Sequence, residues 1–390
     1  MADSQWKVPL FEADFGEAEL AAVARPIREG WLTMGPRVEE LEAAWQAQTG
    51  ARHAIAVTNG TAALHLCALA AGLGPGDEVL CPTLTFVASA NAVRYTGAEV
   101  VFVESKGEDD LTLDPADCAL KITPRTRAIM VVHYAGFPAD MAALLELSRK
   151  RDLLLLEDAA HAVFTRVTVG SEERMCGTWG LCGAFSLFSN KNLTGGEGGL
   201  VATDDPELAE LLRLWRSHGM TATTMDRHRG RALGYDVVVH GYNYRLDEVR
   251  ASLALAQLDR LPEFLAARHR LYNLYREALA DLPVVLPFRD RVPPNGTDCP
   301  VGIHIMPVLL PDGTDRSAVM AEMRERGVQS SVHYPPNHLF SVFTRQGEPP
   351  SLPRTEALAA RELTLPLYPT MGESQVAIVA EALKLALSRG

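Results

Sequence analysis

The sequence has no excess of basic residues: 37 Lys and Arg stand against 49 Asp and Glu in 390 residues, a formal charge of −12. A broad nucleic-acid footprint needs a basic face, so that partner class is excluded, while a local basic pocket for one small anion is not. No apolar run nears the ~20 residues that span a membrane. The opening Met-Ala-Asp-Ser-Gln-Trp-Lys lacks a basic stretch followed by an apolar one. Six cysteines, Cys67, Cys81, Cys118, Cys176, Cys182 and Cys299, include no CxxC pair and no His partner at zinc-finger spacing. Free thiols in a reducing compartment are expected, and with them a cytoplasmic protein with neither a nucleic-acid nor a membrane partner. Internal repeats and low-complexity tracts are absent too. What remains, 47% hydrophobic and 22% charged residues, rules out a disordered or collagen-like chain. The length favours two domains or one large α/β domain.

Short apolar runs alternate with helical patterns between residues 53 and 215. The expected strands are His53–Val57, Glu78–Cys81, Glu99–Val103, Arg127–His133, Leu153–Glu157, Ala184–Phe188 and Gly199–Thr203. Between several of them lie helical patterns at Thr61–Ala71, Phe86–Tyr95 and Ala139–Lys150. Leu153 to Leu156 does not alternate, as expected of a strand covered on both faces. The pattern predicts a mostly parallel sheet between helical layers. From Leu246 to Ala280 a long helical pattern, interrupted by Pro262, reads as a connector kinked at the proline. Beyond it, strands are expected at Gly302–Leu310 and Val328–His333, and helices at Asp315–Arg326 and Glu373–Ser388. The division is a large domain over 1–250 and a smaller α/β domain over 251–390.

Three stretches can carry chemistry. In Val57-Thr-Asn-Gly-Thr-Ala-Ala63 a strand ends and a helix begins, with capping residues and a glycine that lets backbone approach a ligand. Free N–H groups and the helix dipole there suit a phosphate, although such turns also serve purely structural ends. Leu156-Glu-Asp-Ala-Ala-His161 puts Asp158 at the carboxyl end of the most hydrophobic strand, where open α/β sheets bind ligands. Asp158 either pairs with a cationic ring nitrogen or caps a helix. Lys191 follows an apolar strand and precedes Gly195-Gly-Glu-Gly-Gly199. A lysine held in a cleft loses basicity and becomes a nucleophile toward an aldehyde. The other readings are a phosphate-binding lysine or a surface lysine at a strand end.

Taken in order, these motifs resemble the sugar aminotransferases of the DegT/DnrJ/EryC1/StrS family, within the fold-type I enzymes that use pyridoxal 5′-phosphate. The resemblance covers nearly the whole chain. It includes Gly30-Trp-Leu-Thr-Met-Gly-Pro36, Asn59-Gly-Thr-Ala-Ala-Leu64, Gly74-Pro-Gly-Asp-Glu-Val79, Pro82-Thr-Leu-Thr-Phe-Val-Ala88 and Glu157-Asp-Ala-Ala-His161. It continues through Lys191-Asn-Leu, Gly241-Tyr-Asn-Tyr-Arg245, His333-Tyr-Pro-Pro336 and Leu365-Pro-Leu-Tyr368. The fold it implies has a large, mostly parallel sheet domain and a smaller C-terminal α/β domain.

The resemblance implies a role for each matching residue. Lys191 would bind the cofactor as a Schiff base and shuttle the proton, and Asp158 would keep the pyridinium nitrogen protonated. Phe86 would cover the ring face, and His161 would lie near the 3′-oxygen. Gly60, Thr61 and Ser186, together with an Asn243 from the neighbouring subunit, would hold the phosphate, which makes the protein a homodimer with shared sites. Arg229, Arg231, His333 and Tyr334 are candidates for a nucleotide-linked keto-sugar, because guanidinium groups match a diphosphate. Glutamate or glutamine would be the amino donor, and no metal is called for. The chain departs from the family pattern over residues 163–182, just before the lysine strand, and at Gly195, where threonine is common. A family branch with His in place of Lys191 performs a dehydration. The remaining alternatives are a same-family enzyme acting on a cyclitol ketone or a deoxygenation, a PLP lyase or desulfurase, and a non-catalytic PLP-binding regulator.

Overall fold

The structure is a computed structural model that describes residues 6–222, 227–228, 230, 232–293, 300–344 and 349–388. Its strands in chain order are β1 (His53–Val57), β2 (Glu78–Pro82), β3 (Glu99–Val103), β4 (Ser105–Gly107), β5 (Asp110–Leu113), β6 (Thr126–Val132) and β7 (Leu154–Asp158). Then follow β8 (Arg166–Val169), β9 (Glu172–Met175), β10 (Cys182–Ser186), β11 (Gly199–Thr203), β12 (Met306–Leu309) and β13 (Glu362–Leu365). Seven of these form one sheet in the order β1-β11-β10-β7-β6-β2-β3. The block from β10 to β3 is parallel, whereas β11 runs antiparallel to both of its neighbours, β1 and β10. The mostly parallel sheet expected from the sequence is therefore present, with one reversed strand inside it.

Period-two alternation sends each strand's side chains to opposite faces, and each face has its own helical cover. Ile55 and Val57 pack with the Gly60–Ala70 helix, whereas Ala54 and Ala56 pack with Trp45 of the Pro36–Thr49 helix and Leu258 of the Glu248–Ala278 helix. Farther along the second face, Ile129, Val131 and Leu155 pack against Leu144 of the Met141–Arg151 helix. The Glu248–Ala278 helix is uninterrupted, with Pro262 inside it, so the interruption expected there does not appear as a break. Glu248, at its first turn, accepts hydrogen bonds from the amides of Gly35, Arg37 and Val38 and ties two helix N-termini together.

In the C-terminal region β12 pairs antiparallel with β13. Their core includes Tyr272 and Tyr275 of the long helix and reaches back to Val8, Tyr134 and Phe137. The strand expected over Gly302–Leu310 is confined to β12. Val328–His333 is not a strand: Val328 bridges Val8 and Ser331 bridges Thr364, so its pairing is split between two partners. The strand expected at Ala184–Phe188 sits two residues earlier, as β10. Cys67, Cys81, Cys118, Cys176 and Cys182 are free and buried, and Cys299 lies outside the described residues. Among the described residues, no helix is long and apolar enough to cross a membrane.

Candidate active site

Because β6, β7 and β10 are parallel neighbours, their carboxyl ends lie side by side. A cavity of about 460 Å³ opens there, within the usual range for cofactor sites. Gly60, Thr61, Phe86, Asp158, His161 and Lys191 all line it, and so do Ser186, His333 and Tyr334. Segments far apart in sequence thus meet at one sheet edge.

Asp158 ends β7 and is buried. Burial raises the pKa of its carboxyl, while hydrogen bonds and the Lys191 charge oppose the rise. Ser89 Oγ donates to Oδ2 at 2.6 Å, and the Ala160 amide donates to Oδ1 at 3.1 Å. Ser89 is in turn 3.0 Å from Thr85 Oγ1. The carboxylate caps only a local turn, and no helix begins on it; it lines the cavity.

Lys191 follows β10, and its amide donates to the Phe188 carbonyl at 2.9 Å. Burial lowers the pKa of its amine to about 8, against the pull of Asp158. Around it stand imidazoles that burial and the lysine charge keep neutral. Those of His161 and His304 lie well below the usual histidine range, and that of His333 is pushed down to about 4. The Tyr334 hydroxyl lies 3.0 Å from His161 Nε2. The His333–Tyr334 segment is anchored by its neighbours: the His333 amide donates to Glu362 Oε2 at 2.8 Å, and Tyr134 donates to the His333 carbonyl.

The Gly60–Ala70 helix begins at the cavity wall. Asn59 Oδ1 accepts from the Ala62 amide at 2.8 Å and its carbonyl accepts from Ala63, leaving the Gly60 and Thr61 amides without an intrahelical partner. A Cβ on Gly60 would sit 2.9 Å from Ser186 Cβ, so only glycine allows the helix start and the end of β10 to approach this closely. Gly199 sits between them in the sheet, paired with both Val57 and Ser186. A side chain there would meet the Asn59 carbonyl oxygen at 2.5 Å.

These residues fit a pyridoxal phosphate. The glycine-cradled helix start suits its phosphate, and the buried carboxylate suits a cationic ring nitrogen. His161 Nδ1 and Asn190 Oδ1, both in cavity-lining residues, are buried without a hydrogen-bond partner, as expected of atoms that await a ligand. Phe86 is 56% exposed, its ring centroid 5.8 Å from that of Tyr334, so it is not a core residue. Asn243 is exposed and does not line this cavity; its backbone bridges Ser217. Arg229 and Arg231 lie outside the described residues. Sequence reasoning missed Ser89, Asn190, Glu197 and His304. The signal for Glu197 was present in the glycine-rich turn, whereas His304 reads locally as one polar residue in an apolar run.

The sequence of residues 13–384 matches the DegT/DnrJ/EryC1/StrS aminotransferase family. Solved structures agree. The aminotransferase TlmJ from Streptoalloteichus hindustanus superposes with a TM-score of 0.88 at 34% identity, covering 98% of this chain and 99% of that one. S. venezuelae DesV in complex with a ketimine intermediate gives 0.81 at 36% identity, with 94% of each chain covered. The sugar aminotransferase CalS13 from Micromonospora echinospora gives 0.84 at 30% identity, covering 97% of this chain and 99% of that one. With the match running nearly end to end, the chain belongs to the DegT/DnrJ/EryC1/StrS aminotransferase family, a family of PLP-dependent enzymes.

Proposed function

We propose that this chain transfers an amino group from glutamate or glutamine to the ketone of a nucleotide-linked sugar, with pyridoxal phosphate held at Lys191. The observation that carries the reading is the convergence of a buried carboxylate, a lysine of lowered basicity and a glycine-cradled helix start on one cavity. When bound, the cofactor supplies an electron sink and carries the amino group between the two substrates. Asp158 would face its ring nitrogen and hold a proton there. Gly60, Thr61 and Ser186, with Asn243 of the partner subunit, would bind the phosphate. His161 would hold the ring oxygen, and Phe86 with Tyr334 would keep water from the ring face.

Lys191 Nζ would take the proton from the donor's α-carbon, hold it as the ammonium and give it back within the same cavity. With the sugar bound it would run the same transfer in reverse. An amine whose pKa lies near 8 is suited to both directions, since neither the free base nor the ammonium form is rare near neutral pH.

Borohydride reduction of the PLP-loaded protein, followed by peptide mapping, should place the label on Lys191; a label on another lysine overturns the assignment. Amination of a panel of nucleotide-linked keto-sugars and cyclitol ketones, with glutamate and glutamine as donors, tests the substrate class. Turnover only with cyclitol ketones would reject the nucleotide-sugar reading. Gly60→Ala should weaken PLP binding at least ~tenfold by forcing Ser186 and the helix start apart, with equilibrium dialysis as the measurement. Unchanged affinity would remove these amides from the phosphate site.

A further inference from the structure

His304 reaches Lys191 from the C-terminal region, in the segment before β12. Its backbone is fixed at both ends: its amide donates to the Ala135 carbonyl at 2.8 Å, and its carbonyl accepts from Arg268 at 2.9 Å. The ring lies between two residues adjacent in sequence. Nδ1 is 3.3 Å from Asn192 Oδ1, and Nε2 is 3.4 Å from Lys191 Nζ.

Asn192 determines which ring nitrogen carries the proton. Its Nδ2 donates to the carbonyls of Gly302 at 3.0 Å and Ile303 at 3.2 Å, so its oxygen, an acceptor, must face the histidine. His304 Nδ1 therefore carries the hydrogen, and Nε2 presents a lone pair to Lys191. Burial, together with the charges of Lys191 and Arg268, holds the ring neutral. It thus stays an acceptor and does not become a second cation beside the amine.

We propose that His304 is a positioning residue for Lys191: its Nε2 accepts one hydrogen of Nζ and so fixes the direction in which the amine presents its lone pair to the reacting carbon. The inference rests on the proposed role of Lys191 as the proton carrier. Rotation about the last bond of a lysine side chain is otherwise unrestrained, and a proton transfer needs donor and acceptor aligned.

Two amides separate this role from packing. Glutamine at 304 can place an acceptor where Nε2 stands, whereas asparagine reaches only as far as Nδ1. The readout is the pH dependence of Lys191 labelling by dinitrofluorobenzene in the full chain freed of cofactor, followed by peptide mass spectrometry. The titratable and charged groups around Lys191 are Asp158, His161, His304 and His333, with Glu197 lining the same cavity and Tyr334 and Arg268 behind them. Half-maximal reactivity of the unaltered chain is expected near about 8. An acceptor stabilises the ammonium more than the free amine, so its loss in His304→Asn should move the midpoint down by about one pH unit. His304→Gln should leave it within roughly 0.3 unit on the same argument. In the loaded enzyme, kcat should fall at least ~tenfold for His304→Asn but less than ~threefold for His304→Gln, with KM for the donor unchanged in both. Identical midpoints in the two variants, whatever their thermal stability, overturn the proposal. Because labelling is read without cofactor, it tests this contact even where borohydride trapping fails to find PLP on Lys191.

Discussion

Lys191→Ala should lower turnover by at least ~10³-fold, the scale of a positioned acid–base group that also binds the reacting carbonyl. Stability should not fall with it. The folded protein depresses the pKa of this amine to about 8, so it disfavours the charged form and gains nothing from the ammonium that alanine removes. Thermal unfolding should therefore give a Tm equal to or above that of the unaltered chain. Turnover above roughly 1% of the original would remove Lys191 from the proton-transfer step. The same variant tests the shared site. If the chains pair as proposed, mixing it with Asn243→Ala chains gives heterodimers in which one cavity combines an intact Lys191 with an intact Asn243 from the other chain. Part of the activity should return, and no return despite demonstrated subunit exchange would place Asn243 outside the site.

Asp158→Asn carries the second large effect, at least tenfold on kcat, since a charge-assisted hydrogen bond contributes roughly 1.5 to 3 kcal/mol and an amide offers no charge to a ring cation. The local structure should survive. The asparagine oxygen can keep the Ala160 amide, and its NH₂ group can donate to Ser89, whose hydroxyl can rotate toward Thr85. Tm within a few degrees of the original, alongside the kinetic loss, separates this outcome from simple unfolding. Near-normal turnover would reduce Asp158 to a local cap.

The parts of the fold that rest on local pattern were readable. β1, β3 and β11 occupy the spans expected of them, because each is a short apolar run closed by polar or turn residues. The β8–β9 hairpin was not readable: Arg166, Glu172 and Glu173 are exposed, and its pairing buries too little to leave an apolar alternation. Val328–His333 has a strand-like composition, yet its partners are divided between the N-terminal segment and β13. Lys191 and Asp158 were visible because Asp158 ends a buried strand and Lys191 follows one just before a glycine-rich turn. His304 was not, since its meaning depends on Asn192, more than a hundred residues away in sequence and adjacent only after folding.

The reversed strand β11 sets an order on how the protein can be made. β1 borders β11 alone within the sheet, so it has no neighbour in the sheet until the ribosome has delivered residues 199–203. Everything from β2 through β10 can zip together as the chain emerges, while β1 remains unpaired at the sheet's edge. Domains tend to fold as units during synthesis, and non-local pairings are the slow ones. A nascent chain stalled before residue 199 thus holds the strands that carry Asp158 and Ser186 but lacks the strand that joins β1 to them. Such an intermediate has an open strand edge on β10, the kind of surface that chaperones cover.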